Sequence, residues 1–204
     1  MVEASGRPGY EQAPRQLREW VERELGSRVA SATSQPGGFS PGVAASRVRT
    51  SWWTQAAQDR LPSWVRAHRR QLIALEERVP VAVRGHTLCH RDVLAENILL
   101  AQAGDVVFVD WAWACQGAAW IDTMNLVCGV AMDRAGIDVD ALISASPRTR
   151  EVEPGILTAY LANSAGSAYV KAQQSGPQNI PALQAFRQRR ATALLDWLQH
   201  RTGW

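Results

Sequence analysis

The chain has 204 residues, of which 46% are hydrophobic and 20% are charged, so it can bury one sizeable core and is not broadly disordered. The formal net charge is +3, and the arginines are scattered rather than gathered into a basic stripe, which argues against a nucleic-acid partner. The polar N-terminus has no apolar signal core, and no apolar stretch is long enough to cross a membrane. The three cysteines show no CxxC spacing, so we expect a reduced, cytoplasmic protein.

Residues 16–79 are predicted to contain a helix, a loop and a second helix. Residues 16–25 carry apolar side chains at three- and four-residue intervals, which predicts the first helix. Short β-prone pieces then flank a loop rich in Gly, Pro and Ser at residues 35–42. A long amphipathic helix is predicted from Pro62 to about Val79, with Pro80 ending it. We expect His68, on its apolar stripe, to be packed or partly exposed rather than a ligand.

The middle of the chain is β-prone and the remainder is helical. Three short runs, TLC, NILL and VVFVD, surround a charged loop and an AQAGD turn. Beyond Trp120, apolar periodicity predicts helices over residues 122–134, 138–144, 154–171 and 181–201. This order of elements predicts an α+β fold.

The charged loop and the hairpin that follows it carry the candidate chemistry. NILLAQAGDVVFVD reads as two strands joined by a turn at Gly104. If that loop has an even number of residues, Leu100 pairs with Val107 and Asn97 lies opposite Asp110, with Cβ atoms roughly 5 Å apart. An amide oxygen beside a carboxylate suits Mg²⁺. Asp92, in the same loop, would contact a substrate hydroxyl, and the set predicts a phosphoryl-transfer site.

Each of these residues also has an ordinary structural explanation. Asp92 and Asn97 are common turn formers, and Asp110 would cap the next segment. The ordered pattern H-x-D-x4-N, hairpin, D is much more specific than any one of its members, and it favours the catalytic interpretation.

The stretch HRDVLAENILL followed by FVDW resembles the catalytic core of the kinase-like aminoglycoside phosphotransferase family, whose relatives include choline kinases and protein kinases. The resemblance implies a protein-kinase-like fold, in which Asp92 is the catalytic aspartate and Asn97 and Asp110 bind Mg²⁺. His90 would be mainly structural. In GAAWIDTMNLV, the resemblance implies that Asp122 caps a buried helix and anchors the active-site loop.

The same resemblance extends upstream to a glycine-rich loop. Two positions of the chain, Arg91 and Trp111, differ from the pattern of the related families. SQPGGFSPGV is similar to the family's glycine-rich loop, which implies that ATP phosphates are bound by the following residues: Gly37, Gly38, Phe39, Ser40 and Gly42. Most aminoglycoside-type members have glycine at the position of Arg91, and protein kinases have phenylalanine at that of Trp111. The later helices, and the lack of an APE-like segment, suit a small hydroxylated substrate.

The nucleotide lysine of this fold class is missing from its expected place. Lys171 is the single lysine of the chain and lies far beyond the catalytic loop. We therefore expect residues 1–50 to be a remnant of the N-terminal nucleotide-binding lobe and residues 51–204 to be the C-terminal catalytic lobe. Two functions follow: an ATP-dependent phosphotransferase, or a degenerate, weak or inactive remnant that serves as a pseudoenzyme or binding module. The sequence does not indicate the oligomeric state.

Overall fold

A computed structural model describes residues 15, 16, 19, 51–100, 104–134, 136–175 and 180–204. The chain divides into two compact units, Met1–Pro41 and Gly42–Trp204. In the first unit, Arg15 and Glu19 lie one helical turn apart and form an exposed ion pair of 2.6 Å. Most of the predicted first helix, and the whole glycine-rich loop, lie outside the described residues.

The second unit is mostly helical, with two small antiparallel sheets, which confirms the α+β class. The helices are α1 (Trp52–Gln55), α2 (Ser63–Ala67), α3 (Arg69–Ala82), α4 (Ile121–Asp133), α5 (Val139–Ala145), α6 (Pro154–Gln173) and α7 (Pro181–Thr202). The strands are β1 (Thr87–Cys89), β2 (Ile98–Leu100), β3 (Val106–Phe108) and β4 (Cys115–Gly117). Short 3-10 turns cover Gln58–Arg60, Ala95–Asn97 and Trp111–Trp113.

The core of this unit forms where α6 meets its neighbours. Helix α7 packs along α6, and α3 packs on α6 as well, while α4 contacts α7. Helix α6 is buried on most sides, which fits its run of small and apolar residues. Gly166 allows α1 to pack closely on α6, because an added Cβ would lie 2.9 Å from Trp52 Cβ and 3.0 Å from Trp53 Cε2. None of the helices in the described part of the chain is long and apolar enough to cross a bilayer.

The predicted long helix is divided in two at His68. There the backbone has φ −106° and ψ 16°, and the imidazole stacks on Trp204 with the ring centroids 4.7 Å apart. The helix also continues through Pro80 to Ala82, so the prediction that Pro80 ends it is wrong. Pro80 has no N–H to donate to the preceding turn, but Val83 N–H still donates to the Val79 carbonyl at 3.0 Å, so the last turn forms around the proline.

The hairpin register differs by one residue from the predicted one. Leu100 pairs with Val106, and Ile98 pairs with Phe108, so the connecting loop is odd in length. Gly104 lies in this loop with φ +88°, a conformation that glycine adopts without strain. Extending the register places Asn97 opposite Val109, and the predicted opposition of Asn97 to Asp110 is wrong.

The remaining strand, β4, pairs with β1. Cys89 lies opposite Cys115 and Thr87 lies opposite Gly117. Strand β1 leads directly into the charged loop, and β4 follows the segment that carries Asp110, so the two strands form a two-stranded ribbon. The ribbon therefore closes the base of a segment that contains every candidate catalytic residue among those described.

Candidate active site

The charged loop brings Asp92 and Asn97 together. The loop leaves β1 at His90 and ends in the 3-10 turn Ala95–Asn97 that leads into β2. Asn97 is 8% exposed, and its Nδ2 donates to the Asp92 carbonyl at 2.9 Å and to Asp92 Oδ2 at 3.3 Å. The amide thus orients the Asp92 carboxylate directly, which the spacing of the two residues in sequence did not reveal.

Val109 connects the two ends of the charged loop to the segment that carries Asp110. Its backbone N–H donates to the Asn97 carbonyl at 3.0 Å. Its own carbonyl lies 2.8 Å from His90 Nε2. Asp110 follows immediately, with φ +60°, a left-handed conformation that aspartate tolerates better than most residues. Asp110 does not face Asn97 in the strand register. It is nevertheless the next residue after Val109, which is hydrogen-bonded to both His90 and Asn97.

His90 has the structural position that the resemblance implied. The side chain is 2% exposed, and its ring contacts Trp111 with centroids 4.6 Å apart. Because the Val109 carbonyl only accepts, Nε2 must carry the proton of the neutral ring, and Nδ1 is then the acceptor for Asp92 N–H at 3.3 Å. A neutral imidazole used in this way at both nitrogens joins Val109, the residue after β3, to the backbone of Asp92.

Asp122 anchors the start of the charged loop. Its carboxylate accepts hydrogen bonds from His90 N–H at 2.6 Å and from Arg91 N–H at 2.8 Å. The predicted helix cap is a different matter: Trp120 occupies the N-cap position of α4 without a side-chain bond, and Asp122 lies inside the first turn. Negative charge is favourable there because of the helix dipole. The anchoring prediction agrees with the geometry, and the N-capping prediction is wrong.

A buried polar chain holds the backbone at Arg91. This residue has φ +72°, an unusual conformation for a residue with a side chain. Its carbonyl accepts from Asn125 Nδ2 at 3.1 Å, and Asn125 Oδ1 accepts from the Tyr160 hydroxyl at 2.9 Å. Burial raises the pKa of Tyr160 to about 12, so the phenol remains a donor at ordinary pH.

Sequence reasoning missed Asn125 and Tyr160. Asn125 did carry a signal, since it is a polar residue in an apolar helix and lies three positions after Asp122, on the same helical face. Tyr160 carried none, because it lies on α6 and meets Asn125 only through the packing of the helices. Both side chains are buried, at 8% and 4% exposure respectively.

The candidate ligands for a divalent cation are oxygen atoms of Asn97 and Asp110. Both amide and carboxylate oxygens suit Mg²⁺, which takes few protein ligands. Across the described part of the chain, no three His, Cys, Asp or Glu side chains lie close enough together to hold a metal. A cation here would thus depend on the Asn97 amide. The candidate phosphate-binding residues Gly37, Gly38, Phe39, Ser40 and Gly42 lie outside the described residues.

Comparison with known proteins assigns the chain to a family. The model of the phosphotransferase enzyme family (APH) matches residues 5–152, well over half of the chain and inclusive of Asp92, Asn97 and Asp110. No curated protein and no solved structure matches it. The matched range also includes Asp122, whose carboxylate holds the loop. The chain therefore belongs to the phosphotransferase enzyme family, which implies a kinase-like fold and a phosphotransfer function.

Proposed function

We propose that this protein transfers the γ-phosphoryl group of ATP to a hydroxyl group of a small molecule. The observation that carries the proposal is the pair of hydrogen bonds from Asn97 Nδ2 to Asp92, at 2.9 and 3.3 Å, in a chain of the phosphotransferase family. The bond to the Asp92 carbonyl alone would serve a turn, whereas the second bond, to Asp92 Oδ2, orients the carboxylate as well.

Asp92 is the proposed catalytic residue. Its carboxylate would accept a hydrogen bond from the substrate hydroxyl, orient the oxygen towards the γ-phosphorus and take the proton as the new P–O bond forms and ADP leaves. Little other covalent chemistry is needed in phosphoryl transfer, where positioning and charge neutralisation dominate. The bond from Asn97 restricts the carboxylate to one orientation, which is the contribution that positioning requires.

Asn97 and Asp110 are the proposed Mg²⁺ ligands. Both hydrogen bonds of Asn97 to Asp92 use the amide nitrogen, so the amide oxygen is the atom that would bind the cation. A Mg²⁺ ion bound there would neutralise charge on the phosphates. Val109 would fix the distance between the two ligands, because it precedes Asp110 and its N–H bonds to the Asn97 carbonyl. His90 would hold Val109 in place through the bond to its carbonyl.

Asp92→Asn tests the assignment. We expect phosphoryl transfer to fall by ~10²–10⁴-fold with little change in stability, because general bases contribute about this much. Asp105→Asn is the matched control. It makes the same chemical change at a residue that is exposed in the hairpin loop, away from the candidate site. Full activity in the Asp92 variant, measured with a substrate that the wild type phosphorylates, would show that Asp92 is not catalytic.

A second candidate function is a remnant with little or no catalysis. It is favoured by the position of Lys171, the only lysine, in the last turn of α6. A missing charged hydrogen bond to a phosphate costs about 1.5–3 kcal/mol, and every 1.4 kcal/mol is about tenfold in affinity. We therefore expect ATP with Mg²⁺ to bind only in the millimolar range. Calorimetry that gave a low-micromolar Kd would contradict this expectation and favour a fully functional kinase.

A further inference from the structure

Two cysteines face each other at the base of the candidate active site. Cys89 is the last residue of β1 and Cys115 the first of β4, and the register places them directly opposite one another. Opposed residues of antiparallel strands have Cα atoms about 4.5 or 5.5 Å apart, depending on the hydrogen-bond pattern. Disulfides usually span roughly 4.4–6.8 Å between Cα atoms, so either separation permits the bond.

The environments of the two thiols differ in a way that suits stepwise oxidation. Cys115 is partly exposed, whereas Cys89 is 1% exposed. Cys89 Sγ lies 3.5 Å from each of the Thr87 and Ala118 carbonyl oxygens, which are weak contacts for a thiol donor. Burial raises the pKa of Cys89, and the nearby Asp122 and Cys115 add to this effect. Cys115 is therefore the thiol that meets an oxidant first.

We propose that Cys89 and Cys115 form a reversible disulfide, a modification site at the stem of the loop that holds Asp92. The oxidant would be a low-molecular-weight disulfide. The Cys115 thiolate attacks one of its sulfur atoms, the oxidant's S–S bond breaks, and one thiol leaves. The Cys89 thiolate then attacks Cys115 Sγ in the mixed disulfide and releases the second thiol. The protein loses two protons and two electrons, and the oxidant is reduced to two thiols.

The bond would close the segment between residues 89 and 115, which contains Asp92, Asn97 and Asp110. Cys89 is bonded directly to His90, whose N–H donates to Asp122. A covalent link here would reinforce the β1–β4 pairing from which both ends of the segment depart. The formation of the bond does not depend on the proposed phosphoryl transfer.

Cys128 provides an internal control. It is fully buried in α4, and burial raises its pKa to about 11. It lies in a helix and takes no part in the strand register, in which Cys89 and Cys115 are opposed. Oxidation should therefore leave Cys128 as the one thiol that can be alkylated after unfolding.

The test is incubation of the purified full chain with oxidised glutathione, followed by unfolding, alkylation and peptide mapping. We expect one alkylated cysteine, a Cys89–Cys115 peptide, an intact mass lower by about 2 Da, and reversal by dithiothreitol. We also expect the melting temperature to rise by roughly 5–15 °C on oxidation, because closing a loop of this length restricts the unfolded chain.

Two variants complete the experiment. Cys128→Ala should still form the linked peptide, whereas Cys115→Ser should not. Three alkylatable thiols after oxidation of the wild type, a reaction that stops at the mixed disulfide, or a bond between two molecules would each overturn the proposal. The peptide map of the wild type decides the question even if a variant fails to fold.

Discussion

Asp122→Asn is the substitution that most directly tests how the candidate active-site loop is held. The Asp122 carboxylate accepts from two consecutive backbone N–H groups, those of His90 and Arg91, at 2.6 and 2.8 Å. The asparagine amide has one oxygen and one NH₂ group, so it can accept from one donor and must place its own donor against the other. The Arg91 backbone, with φ +72°, would have a weaker hydrogen bond from its N–H to help hold it in this conformation.

The expected cost follows from the two bonds. A hydrogen bond to a charged group contributes about 1.5–3 kcal/mol, and a neutral one about 1 kcal/mol. One charged bond is lost and the other becomes neutral, so the free energy of unfolding should fall by ~2–5 kcal/mol. Local opening of the loop should become easier by a similar amount, and 2 kcal/mol corresponds to roughly 30-fold faster amide exchange at His90 and Arg91.

The assay combines urea unfolding with amide hydrogen exchange followed by NMR. Asp138→Asn is the matched control, because Asp138 caps α5 by accepting from Ala141 N–H at 2.9 Å and asparagine is an equally good cap. We expect that variant to change the free energy of unfolding by only a few tenths of a kcal/mol. If Asp122→Asn left the exchange at both amides and the unfolding free energy as in the wild type, the anchoring role would be refuted.

Two other buried groups give predictions. Burial raises the pKa of Glu76 despite its bonds from Ser51 and Trp53, so the folded state holds this proton more tightly than the unfolded chain does. Its contribution to stability should thus fall as pH rises from the ordinary glutamate pKa through the raised one, by at most about 1.4 kcal/mol per pH unit, and urea unfolding across pH should show that Glu76→Gln removes this slope. Tyr160→Phe should lower the free energy of unfolding by about 1–3 kcal/mol, because Asn125 Oδ1 loses its buried donor; an unchanged urea midpoint would contradict the contact.

The sequence by itself determined the features that depend on local interactions. Helices α6 and α7 begin at Pro154 and Pro181, as predicted, because proline suits a first helical turn and apolar periodicity follows it. The three β-prone runs form strands, since turn residues separate them in the chain. The candidate site was recognisable in the same way, because His90, Asp92 and Asn97 lie within one short loop.

Only the tertiary structure decided the features that depend on partners distant in the chain. Strand β4 has no strong β signal in its letters CQG and is a strand because it pairs with β1. The long helix breaks at His68, whose ring stacks on Trp204. The hairpin register depended on the number of loop residues, and a difference of one moved Asn97 from Asp110 to Val109. Tyr160 is linked to the charged loop through Asn125 only because α6 packs beside that residue, and no periodicity within either helix encodes the contact.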